Sequence, residues 1–213
     1  MRGPARYDAL KRLLDVVGAA LGLLLSAPAL LLVAAVVRAD LGRPVLLRQR
    51  RPGRGGAPFE LVKFRTMHPP DPASGRLSDA DRLTRVGRAL RAASLDELPT
   101  LWNVLRGDMS LVGPRPLLMS YLDRYTADQA RRHEVRPGVT GLAQVRGRNA
   151  LRWERRFALD VWYVDHRSLG LDARIAAATV RAVLRRDGVT AAGHATAPEF
   201  LGTAAGQPAR SPR

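Results

Sequence analysis

From Val16 to Val37 the chain reads VVGAALGLLLSAPALLLVAAVV, 22 residues without a charged side chain. No other stretch restricts the fold so much. As a straight helix rising 1.5 Å per residue it would reach roughly 33 Å, enough to cross the hydrocarbon core of a bilayer. A cleaved signal peptide has a shorter apolar core followed by a polar cleavage region, and does not match. A wholly buried helix of a water-soluble protein stays open. Two features favour a hairpin over a straight crossing. Pro28 lies near the middle, where it deletes a backbone hydrogen bond and crowds the preceding turn, and Ser26 stands close enough to bond a freed carbonyl. Basic residues also flank both ends: Arg2, Arg6, Lys11 and Arg12 before, and Arg38, Arg43, Arg48, Arg50, Arg51 and Arg54 after. The positive-inside rule assigns both ends to the cytoplasmic side. A re-entrant hairpin kinked at Ser26 and Pro28 satisfies both ends, whereas a straight span satisfies one.

The rest of the chain is basic. Its 35 Lys+Arg against 19 Asp+Glu give a net charge of +16, and only Lys11 and Lys63 are lysines. Such a surface attracts nucleic acid, anionic lipid or phosphorylated substrates, and arginine's planar fork suits phosphate oxygens. Aromatic residues are 5% of the chain, thin for a base-stacking surface. With no cysteine there is no disulfide, thiolate metal site or cysteine nucleophile. The four histidines are scattered without metal-ligand spacing, and GxGxxG, P-loop and HExxH patterns are absent.

The predicted fold is mostly α with a few short strands. It comprises a membrane-associated helix with its hairpin (1–40), a membrane-surface catalytic domain with amphipathic helices (41–186) and a disordered tail (187–213). Residues 1–15 read as an amphipathic basic helix, Arg43–Glu60 as turns and short extended pieces, and Phe59–Arg65 as a strand. Helices are expected over Leu83–Ala92, over Leu117–Val135, over Arg152–His166 and over Asp172–Arg186. Arg136–Gly141 reads as a turn, Leu142–Val145 as a short strand, and Gly113-Pro114-Arg115-Pro116 as a stiff irregular segment that holds one arginine.

Ser94-Leu95-Asp96-Glu97-Leu98-Pro99 places two carboxylates side by side in a basic chain. Ser94 with Glu97 three residues on is a capping box, which would start a helix running to Arg106 before Gly107. In that reading Asp96 complements the helix dipole. The carboxylates also follow the arginines Arg82, Arg85, Arg88 and Arg91 and precede Arg115. Carboxylates, arginines and Mg²⁺ together suit phosphoryl transfer. The residues alone go no further than a membrane-associated protein that handles phosphorylated compounds.

Several segments together resemble a known family: Lys63–Met67 (KFRTM), Ser94–Pro99 (SLDELP), Asn103–Pro116 (NVLRGDMSLVGPRP), Arg136–Gly141 (RPGVTG), Gln144–Asn149 (QVRGRN), and Trp162–Asp165 with Leu171-Asp172. Across roughly residues 8–186 the chain is similar to the bacterial sugar transferases, small monotopic phosphoglycosyl transferases, in their minimal catalytic form. The resemblance implies that Asp96 attacks the β-phosphorus of a UDP-sugar, expels UMP and holds an aspartyl-phosphosugar. Polyprenyl (undecaprenyl) phosphate then takes that group, the first step of membrane-linked glycan assembly. It makes Glu97 the second member of the dyad, with Mg²⁺ on Asp96 and Glu97. Arg91, Arg115, Lys63 and Arg65 become candidates for substrate phosphate, and Gln144 and Arg148 for the nucleotide. For Lys63, Arg65, Gln144 and Arg148 a bland alternative remains, basic surface facing lipid headgroups. The implied location is the cytoplasmic face of the bacterial inner membrane, against anionic lipid, with no nucleic-acid partner. The sequence departs from the family's usual pattern at Ala27, which separates Ser26 from Pro28, and at Leu142 and Arg146. The rival classes are a non-enzymatic basic membrane-surface or nucleic-acid-binding protein, and a membrane enzyme that does not release UMP.

Overall fold

The structure, a computed structural model, describes residues 3–75, 77–147, 151–185 and 199–202. Helix α1 (Gly3–Leu41) runs unbroken through Pro28. The residues on either side of Pro28 thus belong to one helical element. The Ser26 hydroxyl donates to the Leu23 carbonyl at 3.5 Å, not to the Leu24 carbonyl that Pro28 leaves without its i+4 donor. Tertiary contact on both sides of the proline holds the helix together. Asp15, Ala19, Val33 and Val37 fall on one face and are each at most 5% exposed. The Asp15 carboxylate accepts from the Leu111 amide at 2.9 Å, and Arg12 donates to the Val104 and Leu105 carbonyls at 2.6 and 2.9 Å. Beyond Pro28, Val33 and Val37 pack with Phe64 and Leu90, and Thr84 donates to Asp40 at 2.7 Å. Each fully buried valine contributes about 1.5–3 kcal/mol. The opposite face carries bare leucines, Leu25 at 80% and Leu31 at 75% exposure. Among the described residues α1 is the one helix long and apolar enough to cross a membrane.

After α1 comes an antiparallel hairpin, β1 (Leu46–Pro52) and β2 (Pro58–Phe64), in register from Leu46 opposite Phe64 to Pro52 opposite Pro58. A short helix α2 (Asp79–Arg82) leads to α3 (Arg85–Ala92) and, past a 3-10 turn at Leu95–Glu97, to α4 (Thr100–Arg106). Strands β3 (Ser110–Val112) and β4 (Gly138–Thr140) pair in parallel. Between them the chain expected to be one helix over 117–135 is broken into a 3-10 segment (Met119–Arg124), a short helix α5 (Ala127–Ala130) and a 3-10 turn (Arg131–His133). Thr126 starts α5 with a reciprocal Thr126–Gln129 cap, which forces the break. Leu142–Val145, expected as a strand, is the short helix α6, and α7 (Trp153–His166) and α8 (Leu169–Arg185) complete the described domain.

Part of the expected disordered tail is ordered. Phe200 is 2% exposed in a cluster with Tyr121, Phe157 and Leu117. Apart from Glu199–Gly202, the rest of the tail from residue 187 on lies outside the described residues.

Candidate active site

The segment carrying the two carboxylates is not built as a capping box. Ser94 has φ +56°, the one positive φ at a non-glycine among the described residues, and its side chain makes no cap. Its amide donates to the Arg91 carbonyl at 3.1 Å, so Ser94 closes the end of α3 and does not open α4. The chain then makes the 3-10 turn Leu95–Glu97, and α4 starts after Pro99. A left-handed serine is a strained conformer, of the kind that persists where surrounding structure over-determines it. Its effect is to turn Asp96 inward, 5% exposed, with Glu97 beside it.

Two loops far apart in sequence bring the arginine of Gly113–Pro116 to this turn. The Gly113 amide donates to the Thr140 carbonyl and the Gly138 amide to the Pro114 carbonyl, each at 2.9 Å. A Cβ on Gly113 would stand 2.5 Å from the Arg136 carbonyl oxygen, and one on Gly138 2.1 Å from the Gly113 amide nitrogen. Only glycines allow this backbone-to-backbone seam. Arg115 projects from it and forks onto Glu97, each terminal nitrogen facing one carboxylate oxygen, with Nη1 to Oε2 at 3.3 Å. The Arg115 side chain as a whole is 44% exposed.

Lys63 and Arg91 complete the ring of charge. Lys63 lies one residue before the end of β2, and Asn103, fully buried, ties that strand to α4: its Oδ1 accepts from the Val62 amide at 3.0 Å and its Nδ2 donates to the Glu60 carbonyl at 2.7 Å. Arg91 donates through Nε to Thr66 Oγ1 at 3.0 Å and through Nη2 to Met67 Sδ at 2.8 Å. Burial, reinforced by the Glu97 charge, pushes the Asp96 carboxyl above its ordinary range, and Lys63, Arg115 and Arg91 pull it back. Burial pushes Lys63 and Arg91 down, against the pull of the same carboxylates. A carboxyl group and cations held off their ordinary titration in one place make this turn the candidate site.

The other expected ligands fall elsewhere. Arg65 donates to the Leu41 and Gly42 carbonyls, so it caps the C-terminus of α1 and is not aimed at the carboxylates. Gln144 donates to the Val139 carbonyl at 3.0 Å and braces the turn after β4. Arg148 lies outside the described residues. No cluster of three or more His, Asp or Glu occurs among the described residues. A cavity of about 40 Å³ lined by Tyr7, Lys11, Asp15 and Arg136 shares no residue with the site.

Three further residues connected to this turn are not evident from the sequence. Arg51 feels Arg115 and Glu97, and burial first, then Arg115, holds its guanidinium down at about 10. Asn103 is the strand-to-helix tie above. Arg132, 2% exposed, donates to Asp160 through Nε and Nη2 at 3.1 and 2.8 Å and to the Arg115 carbonyl at 2.7 Å. Asp160 on the buried face of α7 is the one signal in the sequence, since a carboxylate among apolar residues needs a cationic partner.

The family model for the bacterial sugar transferases matches residues 6–186. A protein of Bacillus subtilis named as an uncharacterized sugar transferase, EpsL, is 53% identical over 195 residues, covering 91% of this chain and 96% of that relative. A UDP-glucose:undecaprenyl-phosphate glucose-1-phosphate transferase of Caulobacter vibrioides is 50% identical over 192 residues, 84% of this chain and 72% of the relative. An undecaprenyl-phosphate galactose phosphotransferase of Salmonella typhimurium is 40% identical over 197 residues, covering 84% of this chain but only 41% of the longer relative.

Proposed function

The chain belongs to the bacterial sugar transferase family, and from that premise we propose that it moves a sugar 1-phosphate from a UDP-sugar to undecaprenyl phosphate through a covalent intermediate on Asp96. Relatives named for UDP-glucose and for galactose transfer support this reaction class, with the hexose left open. The observation that carries the reading is the inward-turned Asp96 set among Lys63, Arg115 and Arg91.

In the first step an Asp96 carboxylate oxygen bonds the β-phosphorus. The bond from that phosphorus to the bridging oxygen breaks, and UMP leaves with the electron pair. In the second step an oxygen of undecaprenyl phosphate bonds the same phosphorus and releases the Asp96 carboxylate. Dividing the transfer suits a water-soluble donor and a lipid acceptor, because the intermediate can wait for the second. Lys63, Arg91 and Arg115 supply the counter-charge for the transferring phosphoryl group. Glu97 orients Arg115. Mg²⁺ binds through one or two carboxylates together with substrate phosphates, and Asp96 and Glu97 are a donor set of that size. When bound, the ion would add charge neutralisation at the diphosphate.

The acceptor requires the membrane, and α1 supports a monotopic arrangement. Its segments before and after Pro28 are both fastened to one domain. A straight crossing would have to drag that domain into the bilayer. With the domain on one side, the bare leucines of α1 face lipid and the basic surface faces anionic headgroups. Single cysteines placed before and after α1 then label from the same side of the membrane; labelling from opposite sides overturns the arrangement.

The chemistry is tested by label exchange between UMP and a UDP-sugar without lipid acceptor, with UDP-glucose and UDP-galactose as probes. The wild type exchanges label and Asp96→Asn does not. Exchange that survives in Asp96→Asn, or release of UDP in place of UMP, refutes the mechanism.

A further inference from the structure

Arg115 is held by more than its own loop. Its carbonyl accepts from the buried Arg132 guanidinium at 2.7 Å, and Arg132 is in turn fixed by Asp160 and flanked by the rings of Tyr125 and Phe157, 5.8 and 5.7 Å from its guanidinium carbon. Those two rings touch a residue of the far C-terminal segment. Phe200 stacks on Tyr125 at 5.9 Å between centroids and meets Phe157 edge-on at 4.9 Å, with Tyr121 and Trp153 at 5.6 Å each. The segment is also bonded in place. The Phe200 amide donates to the Tyr121 hydroxyl at 3.1 Å, Arg124 donates to the Phe200 carbonyl, and Glu199 pairs with Arg124 at 2.7 Å. A continuous line of contact therefore runs from Phe200 through Tyr125 and Phe157 to Arg132, then Arg115, then Glu97.

We propose that Phe200 is a positioning residue of the active site: its ring completes the aromatic wall around Arg132 and thereby fixes Arg115 for the donor's diphosphate. The physical case is that Arg132 is a rigid planar fork whose donors are committed on several sides. Tilting it moves the Arg115 carbonyl that it holds. The rings on two sides prevent the tilt, and Phe200 is the part of that wall supplied by a separate segment of chain. Neighbouring surface arginines such as Arg152 have no such enclosure, with the Arg152 side chain 87% exposed.

The inference rests on the reading of Arg115 as a donor-phosphate ligand, and the test keeps the two apart. UDP serves as the probe, since it carries the diphosphate whatever the sugar, and its Kd is measured by calorimetry on the full chain in detergent. Four proteins form a cycle: wild type, Phe200→Ala, Arg115→Ala and the double variant. The expected result is a Kd raised about three- to ten-fold by Phe200→Ala in the wild-type background, and no further rise from it once Arg115 is alanine. A purely structural loss would act equally in both backgrounds. An unchanged Kd in Phe200→Ala, or the same factor in both backgrounds, overturns the inference and leaves the proposed reaction standing. Arg115→Ala that binds UDP as the wild type does, or a wild type that does not bind UDP, overturns the donor-phosphate reading itself. If Phe200→Ala does not melt as a folded protein, Phe200→Leu, which keeps apolar volume but no ring, takes its place in the cycle, and the same Kd ratios support or overturn the inference.

Discussion

Asp160→Asn is the substitution whose consequence the structure fixes best. The Asp160 and Arg132 side chains are 3% and 1% exposed, joined by two hydrogen bonds of 2.8 and 3.1 Å. Burial pushes the Asp160 carboxyl up, and the guanidinium opposes it. Asparagine keeps the shape and one acceptor but removes the charge, leaving a buried cation without its counter-ion. Breaking a buried pair in this way costs about 3–5 kcal/mol. For a chain of this size each kcal/mol lowers the melting temperature by about 2–4 °C, so the drop should be about 6–20 °C. The assay is thermal melting in one detergent, with UDP affinity measured below the transition. A companion variant separates stability from function. Arg132→Met with Asp160→Leu replaces both charges by apolar groups of similar size, which is often neutral for stability. It should therefore melt near the wild type yet bind UDP weakly, because nothing then holds the Arg115 carbonyl. A drop of under ~3 °C in Asp160→Asn refutes the buried-charge argument. A double variant that both melts and binds like the wild type refutes the role of the pair in placing Arg115.

Three further outcomes follow from the geometry. Burial and Glu97 raise the Asp96 pKa, so the folded chain holds that proton more tightly than the unfolded chain, and ionisation above the usual carboxylate range near ~3.9 costs stability. Asp96→Asn should therefore melt higher than the wild type at pH 7–8, with the gap closing below pH ~4; a gap independent of pH contradicts the assignment. Lys63 is the foremost of the cations that pull Asp96 back down, so Lys63→Met should move the acid limb of the pH profile for UMP exchange to higher pH, and an unmoved limb counts against that coupling. At Ser94, with φ +56°, glycine should be tolerated while valine costs about 1–2 kcal/mol, read as melting temperature; equal melting of the two variants rules out strain at this turn.

What could be read in the sequence and what could not divide along a physical line. The apolar run, the strand expected over 59–65 and the helices expected over 83–92 and 152–166 carry their signal in local periodicity, and the structure has a strand at Pro58–Phe64 and helices at Arg85–Ala92 and Trp153–His166. Ser94–Glu97 has the spacing of a capping box, yet the preceding helix claims Ser94 for its own end, so the same residues serve the opposite boundary. Arg65 illustrates the same limit. A basic residue two positions from Lys63 reads as a second phosphate ligand, whereas the nearest unsatisfied acceptors are the last carbonyls of α1. Arg136–Gly141, which reads as a turn, contains β4, and Leu142–Val145, which reads as a strand, is helical; β4 exists only through pairing with β3, a partner about 28 residues away that no local pattern reports.

The charge balance of the site gives the class of ligand an independent footing. Lys63, Arg91, Arg115 and Arg51 gather around Asp96 and Glu97 in one electrostatic neighbourhood. Burial opposes the ionised forms of Lys63, Arg91, Arg51 and Asp96 alike. A fold that keeps such groups together bears a standing electrostatic cost, and the excess is positive. A ligand bringing two or more negative charges relieves it; a neutral sugar or a cationic ligand does not. The donor's diphosphate meets that requirement. The same cations also oppose the upward push of burial and Glu97 on the Asp96 carboxyl, which favours the ionised form that the proposed covalent step uses.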